Sequence, residues 1–134
     1  MRHRRQRYRP KSPKCPYRGV TPEGNHFRAS VKIGGQRYWL GSYKVAAEAA
    51  WYADFARYML FGLDTTAWPR PRCRRYHGGR PRQKPNFPPC RTYLGMQNYV
   101  LRILFCHGLL DRPTMEARRK EYDAAAARPA PAIS

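Results

Sequence analysis

Acidic side chains are scarce in this chain: 8 Asp and Glu stand against 27 Lys and Arg, for a formal charge of +19. None precedes Glu23, and none lies between residues 65 and 110. That second gap argues against a nuclease. Metal-assisted phosphodiester hydrolysis needs a general base beside a cation held by carboxylates or histidines, and His77, Asn86 and His107 form no recognisable nuclease motif. Long apolar runs are lacking too. The longest, residues 99–110, is interrupted by Arg102 and His107 and falls short of the roughly 20 residues that span a bilayer. No apolar segment follows the basic start of the chain, so neither a signal peptide nor a membrane anchor is expected. Cysteine is limited to Cys15, Cys73, Cys90 and Cys106, a usage that fits a reducing compartment. Cys73 and His77 have a ligand-like spacing, but Cys90 stands far from Cys106 and His107, and a structural zinc site needs two compact pairs. Unpaired thiols are expected, with no metal and no other cofactor.

With 134 residues, the chain has room for one domain with extensions and none for a multi-domain enzyme. What it has in abundance is arginine, which makes up 21 of the 27 basic residues. Such a charge fits a polyanionic partner and gives no sign of a membrane or a small-molecule substrate. Residues 1–15 carry seven Arg or Lys and almost nothing apolar, so a disordered basic arm is expected. Residues 63–90 hold six prolines and seven basic residues between Pro69 and Pro89, which defeats helix and sheet alike and reads as a linker or an insertion.

Between them the pattern changes. Phe27, Ala29, Val31 and Ile33 alternate with Arg28, Ser30 and Lys32, giving one apolar face and one polar face at period two. The next run places Arg37, Trp39 and Gly41 on one side and Tyr38 and Leu40 on the other, and Gly34-Gly35 joins the two runs as a hairpin. Tyr17-Arg18-Gly19-Val20 is read as a third strand, followed by a turn over residues 21–25. A three-stranded sheet cannot stand with its apolar face bare. The alanine-rich stretch 46–61, closed by Gly62, supplies a covering helix. The expected fold is therefore α+β, a three-stranded antiparallel sheet on one α-helix over residues 16–62. Two further helices are expected in residues 91–127, the second capped by Asp111, with a short tail at 128–134.

The linked motifs Tyr17-Arg18-Gly19-Val20, Arg37-Tyr38-Trp39-Leu40-Gly41-Ser42-Tyr43 and Ala46-Ala47-Glu48-Ala49-Ala50 with Asp54 resemble the APETALA2/ethylene-response-factor DNA-binding domain family, in order and spacing, over about 45 residues. The resemblance implies that the outer face of the sheet enters the major groove of double-stranded DNA. It carries the contact role to Arg18 and Gly19 of the opening motif, to Lys32, and to Arg37, Trp39 and Ser42. Arg28 and Ser30 share that face by phase. Thr21 replaces an arginine of the plant members, Ser30 a glutamate, and Ala53 a phosphate-contacting tyrosine, so the GC-rich box of plant proteins is not the expected target. The short first loop is similar to domains of bacterial and phage mobile elements, and Asn86-Phe87-Pro88 echoes the Asn-Phe that closes the family domain. If that echo holds, residues 63–85 are an insertion.

Taken together, these features predict a non-enzymatic, double-stranded DNA-binding transcription factor, cytoplasmic and nucleoid-associated if bacterial and nuclear if eukaryotic. A mobile-element accessory module and a basic RNA-binding protein are the alternatives. RNA fits less well because the deep, narrow A-form major groove does not admit a sheet. The apolar content of the C-terminal helices points to a protein partner or to self-association.

Overall fold

The computed structural model describes residues 17–69 and 84–127. Strands β1 (Val20–Glu23), β2 (His26–Ile33) and β3 (Gln36–Tyr43) form an antiparallel sheet in the order β1-β2-β3. Helix α1 (Ala46–Phe61), a 3-10 turn (Thr65–Ala67), α2 (Leu94–Cys106) and α3 (Arg112–Ala127) follow. This is the expected α+β architecture. The basic arm, Cys15, Cys73, His77 and the tail fall outside the described residues, as does the middle of the Pro/Arg-rich segment.

The first strand begins later than expected. Arg18 and Gly19 lie in a turn, and the strand takes up Thr21, Pro22 and Glu23, which pair with Arg28, Phe27 and His26. Proline is tolerated here because β1 is an edge strand and Pro22 can forgo a ladder N–H. The β2–β3 turn is Gly34-Gly35, with φ of +57° and +85°. A two-residue hairpin of that hand needs positive φ at both positions, which only glycine adopts without strain.

One irregularity resets the phase of β3. Ser30 pairs with Trp39 while Ala29 pairs with Gly41, leaving Leu40 as the extra residue of a bulge. Up to Trp39 the alternation runs as the sequence predicts. Beyond Leu40 it inverts, so Gly41 turns inward opposite buried Ala29 and Ser42 turns outward opposite Arg28. The expectation that Gly41 shares a face with Arg37 and Trp39 is thus corrected by the extra residue.

Helix α1 stops at Gly62, whose N–H donates to the Tyr58 carbonyl. It is buried almost all round, including Ala49, Ala50, Ala53, Phe55, Ala56 and Met59. A helix with no polar face needs cover on both sides. The sheet supplies one side through Val20, Ala29, Val31 and Leu40, and α2 and α3 supply the other through Met96, Val100, Leu104 and Tyr122, all in one continuous core. The second layer is largely aromatic. Tyr122 meets Phe55 edge-on at 5.0 Å and Tyr58 at 5.4 Å, and Tyr58 meets Trp68 at 5.2 Å. Asp111 caps α3 by accepting from the Thr114 N–H at 2.8 Å. Arg118 of α3 donates to the carbonyls of Met59 and Leu60, which α1 leaves without helical partners.

Both described ends of the Pro/Arg-rich segment are docked on this core. Trp68 is buried and its indole N–H donates to the Gly62 carbonyl at 2.8 Å. Further on, Asn86 and Phe87 are bound to α1 and to the chain just before β1, and the Tyr58 hydroxyl donates to the Phe87 carbonyl at 2.9 Å.

Candidate nucleic-acid interface

The hairpin register decides which side chains share the outer face of the sheet. Lys32 lies opposite Arg37, Ser30 opposite Trp39, and Arg28 opposite Ser42. The Trp39 indole is 41% exposed, although tryptophan in a small domain is ordinarily a core residue. It is flanked by two guanidinium groups, with Arg28 Cζ 3.7 Å from the ring centroid and Arg37 Cζ 5.5 Å from it. At exposed positions such cation–π contacts contribute about 0.5–1 kcal/mol each. They hold the guanidinium groups near the indole without neutralising them. Arg28 also donates to the Glu23 carboxylate at 3.1 Å, an ion pair at the solvent-facing end of β1.

Not every expected residue joins this face. Ser30 lies opposite Trp39 in the ladder but is only 5% exposed, so it is buried rather than presented to a ligand. Arg18 belongs to a different cluster. Its N–H donates to Asn86 Oδ1 at 2.7 Å, its carbonyl accepts from Asn86 Nδ2 at 2.9 Å, and its guanidinium points toward the Pro85 carbonyl. Gly19 has a packing role. Its φ is +79°, and a Cβ there would lie 2.1 Å from an Arg57 guanidinium nitrogen and 2.9 Å from the Ser30 carbonyl. Only the bare backbone leaves room for Arg57.

Beneath Gly19 lies a buried ionic network that the sequence reading did not anticipate. The Asp54 carboxylate accepts from Arg57 at 2.9 Å, from the Asn86 N–H at 2.9 and 3.0 Å, from Asn86 Nδ2 at 3.0 Å and from the Phe87 N–H at 2.7 Å. Burial pushes the Asp54 carboxyl above its ordinary value, while the Asn86 and Phe87 N–H groups and then Arg57 pull it back. Burial likewise lowers Arg57, against the attraction of Asp54. Because both ions are desolvated, the network holds only while each keeps its partners. The local signal was present in Asp54 and Arg57, one helical turn apart, but the Asn86 partner lies 32 residues from Asp54.

Where β3 ends, a shallow slot of about 450 Å³ opens between the strand and α2, lined by Gly41, Ser42, Tyr43, Tyr52, Tyr93, Gly95 and Tyr99. Tyr43 stacks on Tyr52 at 4.1 Å, and the Tyr52 and Tyr93 hydroxyls share a hydrogen bond of 2.6 Å. Burial, followed by the surrounding tyrosines, raises Tyr43 above its ordinary phenol value, and burial with the Tyr93 hydrogen bond raises Tyr52.

Among the described residues no group of three or more His, Cys, Asp or Glu is placed to hold a metal ion, and no helix is long and apolar enough to cross a membrane. Cys90 and Cys106 are free thiols. Chemically, the outer face offers three cations, an exposed π-surface and a hydroxyl on a two-stranded ribbon, a set able to hold a polyanion and to donate hydrogen bonds to it. A scan against protein-family models finds none that matches the chain, and a search of curated proteins finds no match either.

Proposed function

We propose that this protein binds double-stranded DNA by laying the β2–β3 ribbon in the major groove, and that it acts in transcriptional regulation. The observation that carries the reading is the exposed Trp39 indole held between Arg28 and Arg37, with Lys32 across the ladder, on the sheet face that α1 does not cover. The B-DNA major groove is about 12 Å wide and admits a two-stranded ribbon. Guanidinium groups suit it because their planar fork can donate twice to guanine O6 and N7, for about 1–3 kcal/mol of discrimination per good pair. The likeness of residues 17–62 to the APETALA2/ethylene-response-factor domain supports the same face. The arginine-rich arm adds affinity through counterion release without reading sequence.

Selection of bound duplexes from a random library tests the reading, followed by titration of two variants on the selected site and on scrambled controls. Arg37→Ala should relax preference at particular base pairs. Arg4→Ala should weaken every duplex alike and reduce the salt slope by about one. A pool that does not enrich, or equal losses from both variants on all sequences, refutes the reading. Preference for duplex RNA or single strands in competition at fixed salt would favour the RNA-binding alternative.

A further inference from the structure

The tyrosine slot is continuous with the cationic face. Ser42 belongs to both, since it lies opposite Arg28 in the ladder and also lines the slot with Tyr93 and Tyr99. Helix α2 runs beside β3, with Tyr99 close to Gly41 and the His107 ring 5.0 Å from Tyr38. The slot thus opens at the β3 edge of the sheet, between the outer face at Ser42 and the helices, where a duplex that overhangs the ribbon would pass.

The slot offers hydroxyl groups more than ring faces. Tyr43 and Tyr52 are already stacked on each other, and Tyr99 meets Tyr52 edge-on at 6.2 Å. The Tyr99 side chain is 44% exposed, and its hydroxyl has no hydrogen-bond partner among the described residues. The Tyr52 hydroxyl is taken up by its neighbours Tyr93 and Tyr43, and when Tyr52 donates to Tyr93 the exposed Tyr93 keeps its own O–H proton for a ligand. Among the described residues no acidic side chain lines the slot, and the nearest carboxylate acting on it is that of Glu48, which helps to raise Tyr52. Neutral hydroxyl donors at the margin of a cationic surface are the groups that proteins direct at phosphate oxygens to fix register on a duplex.

We propose that this slot seats a backbone phosphate of the DNA held by the sheet, with Tyr99, Ser42 and Tyr93 donating to its oxygens. The proposal rests on the duplex-binding reading and extends the interface from the β-ribbon to α2. It gives α2 a positioning role, setting where the ribbon sits along the groove, and assigns it no base readout.

Tyr99→Phe is the test, because it keeps the ring and removes a hydroxyl that holds nothing in the fold. Circular dichroism and melting should match the parent. Affinity, measured by fluorescence anisotropy at fixed salt, should fall about tenfold on every duplex the parent binds, the loss of one hydrogen bond to a charged group. The order of preference among duplexes should stay the same. A series of duplexes, each with one neutral methylphosphonate linkage, should contain one position at which parent and variant bind equally. If Tyr99→Phe binds within about twofold of the parent while Arg37→Ala weakens binding, the phosphate seat is wrong and the ribbon reading stands. A tenfold loss that persists at every methylphosphonate position also overturns the seat. If the parent binds no duplex, both readings fall.

Discussion

Replacing Asp54 with Asn exchanges one carboxylate oxygen for an NH2 group and should cost more stability than most single substitutions in this protein. The carboxylate faces donors only: Arg57, the backbone and side-chain N–H groups of Asn86, and the Phe87 N–H. An amide would turn its NH2 toward one of them, leaving a buried donor without an acceptor at about 1–3 kcal/mol. It would also remove the counter-charge that Asp54 gives Arg57, which is 4% exposed. Breaking a buried pair in this way typically costs about 3–5 kcal/mol. Since the two effects describe one network and do not add, about 4 kcal/mol is the expected loss, from a total that for a domain of this size is about 5–15 kcal/mol. The melting temperature should fall by about 15 °C.

The signature should be local as well as global. Hydrogen exchange of the Asn86 and Phe87 amides, and of the Arg18 amide bound to Asn86 Oδ1, should rise toward the rate of exposed groups before the sheet amides change. Adding Arg57→Met to Asp54→Asn should recover part of the loss, because the uncompensated cation is then gone. If Asp54→Asn melts within about 3 °C of the parent and keeps those amides protected, the network is not what holds residues 84–87 to the domain.

Glu23→Gln frees Arg28 by removing the carboxylate paired with it. Duplex affinity should rise severalfold at low salt, with the gain shrinking as salt is added, while stability changes by less than about 0.5 kcal/mol because the pair is solvent-exposed. Unchanged or weaker binding would mean that Arg28 does not face the phosphates. Tyr43, Tyr52, Tyr58 and Tyr122 are all raised above the ordinary phenol value, by burial first. A raised folded-state value means that the stability these groups lend is complete below the unfolded value of about 10 and is lost as pH climbs beyond it. Phenolate absorbance should therefore show these four of the ten tyrosines silent until the far-ultraviolet signal collapses at alkaline pH. A single titration wave covering all ten, with the fold intact, would contradict this packing.

The parts of the fold that were legible in the sequence are those set by local rules. Alanine density and Gly62 placed α1 at 46–61, Gly34-Gly35 placed the hairpin, and Asp111 placed the start of α3. Period-two alternation put Arg28, Lys32, Arg37 and Trp39 on one face, where the ladder has them. The start of β1 was misread because proline normally argues against strand, and its tolerance depends on an edge position that only the sheet order reveals. The pairing of Asp54 with Asn86, 32 residues away, and the tyrosine slot were not legible for another reason. Tyr93 and Tyr99 sit in a stretch whose apolar spacing announces a helix, but spacing cannot say which neighbour each side chain meets once that helix docks.

The bulge at Leu40 shows how a local departure from alternation governs the whole candidate surface. Had β3 kept strict alternation, Gly41 would face outward and Ser42 would turn toward the core, leaving no hydroxyl between the arginine–indole cluster and α2. With one residue added to β3, Leu40 enters the core fully buried, Gly41 faces inward, and Ser42 emerges opposite Arg28. The missing side chain at Gly41 then has a second consequence. A Cβ there would lie 2.7 Å from the Tyr43 hydroxyl and 3.3 Å from that of Tyr99, so the glycine lets Tyr43 fold back to donate to the Leu40 carbonyl at 2.6 Å and lets Tyr99 approach the strand. A glycine inside an otherwise regular strand was the one sequence signal of this arrangement. It marks the position where the flat cationic ribbon becomes a surface with a wall.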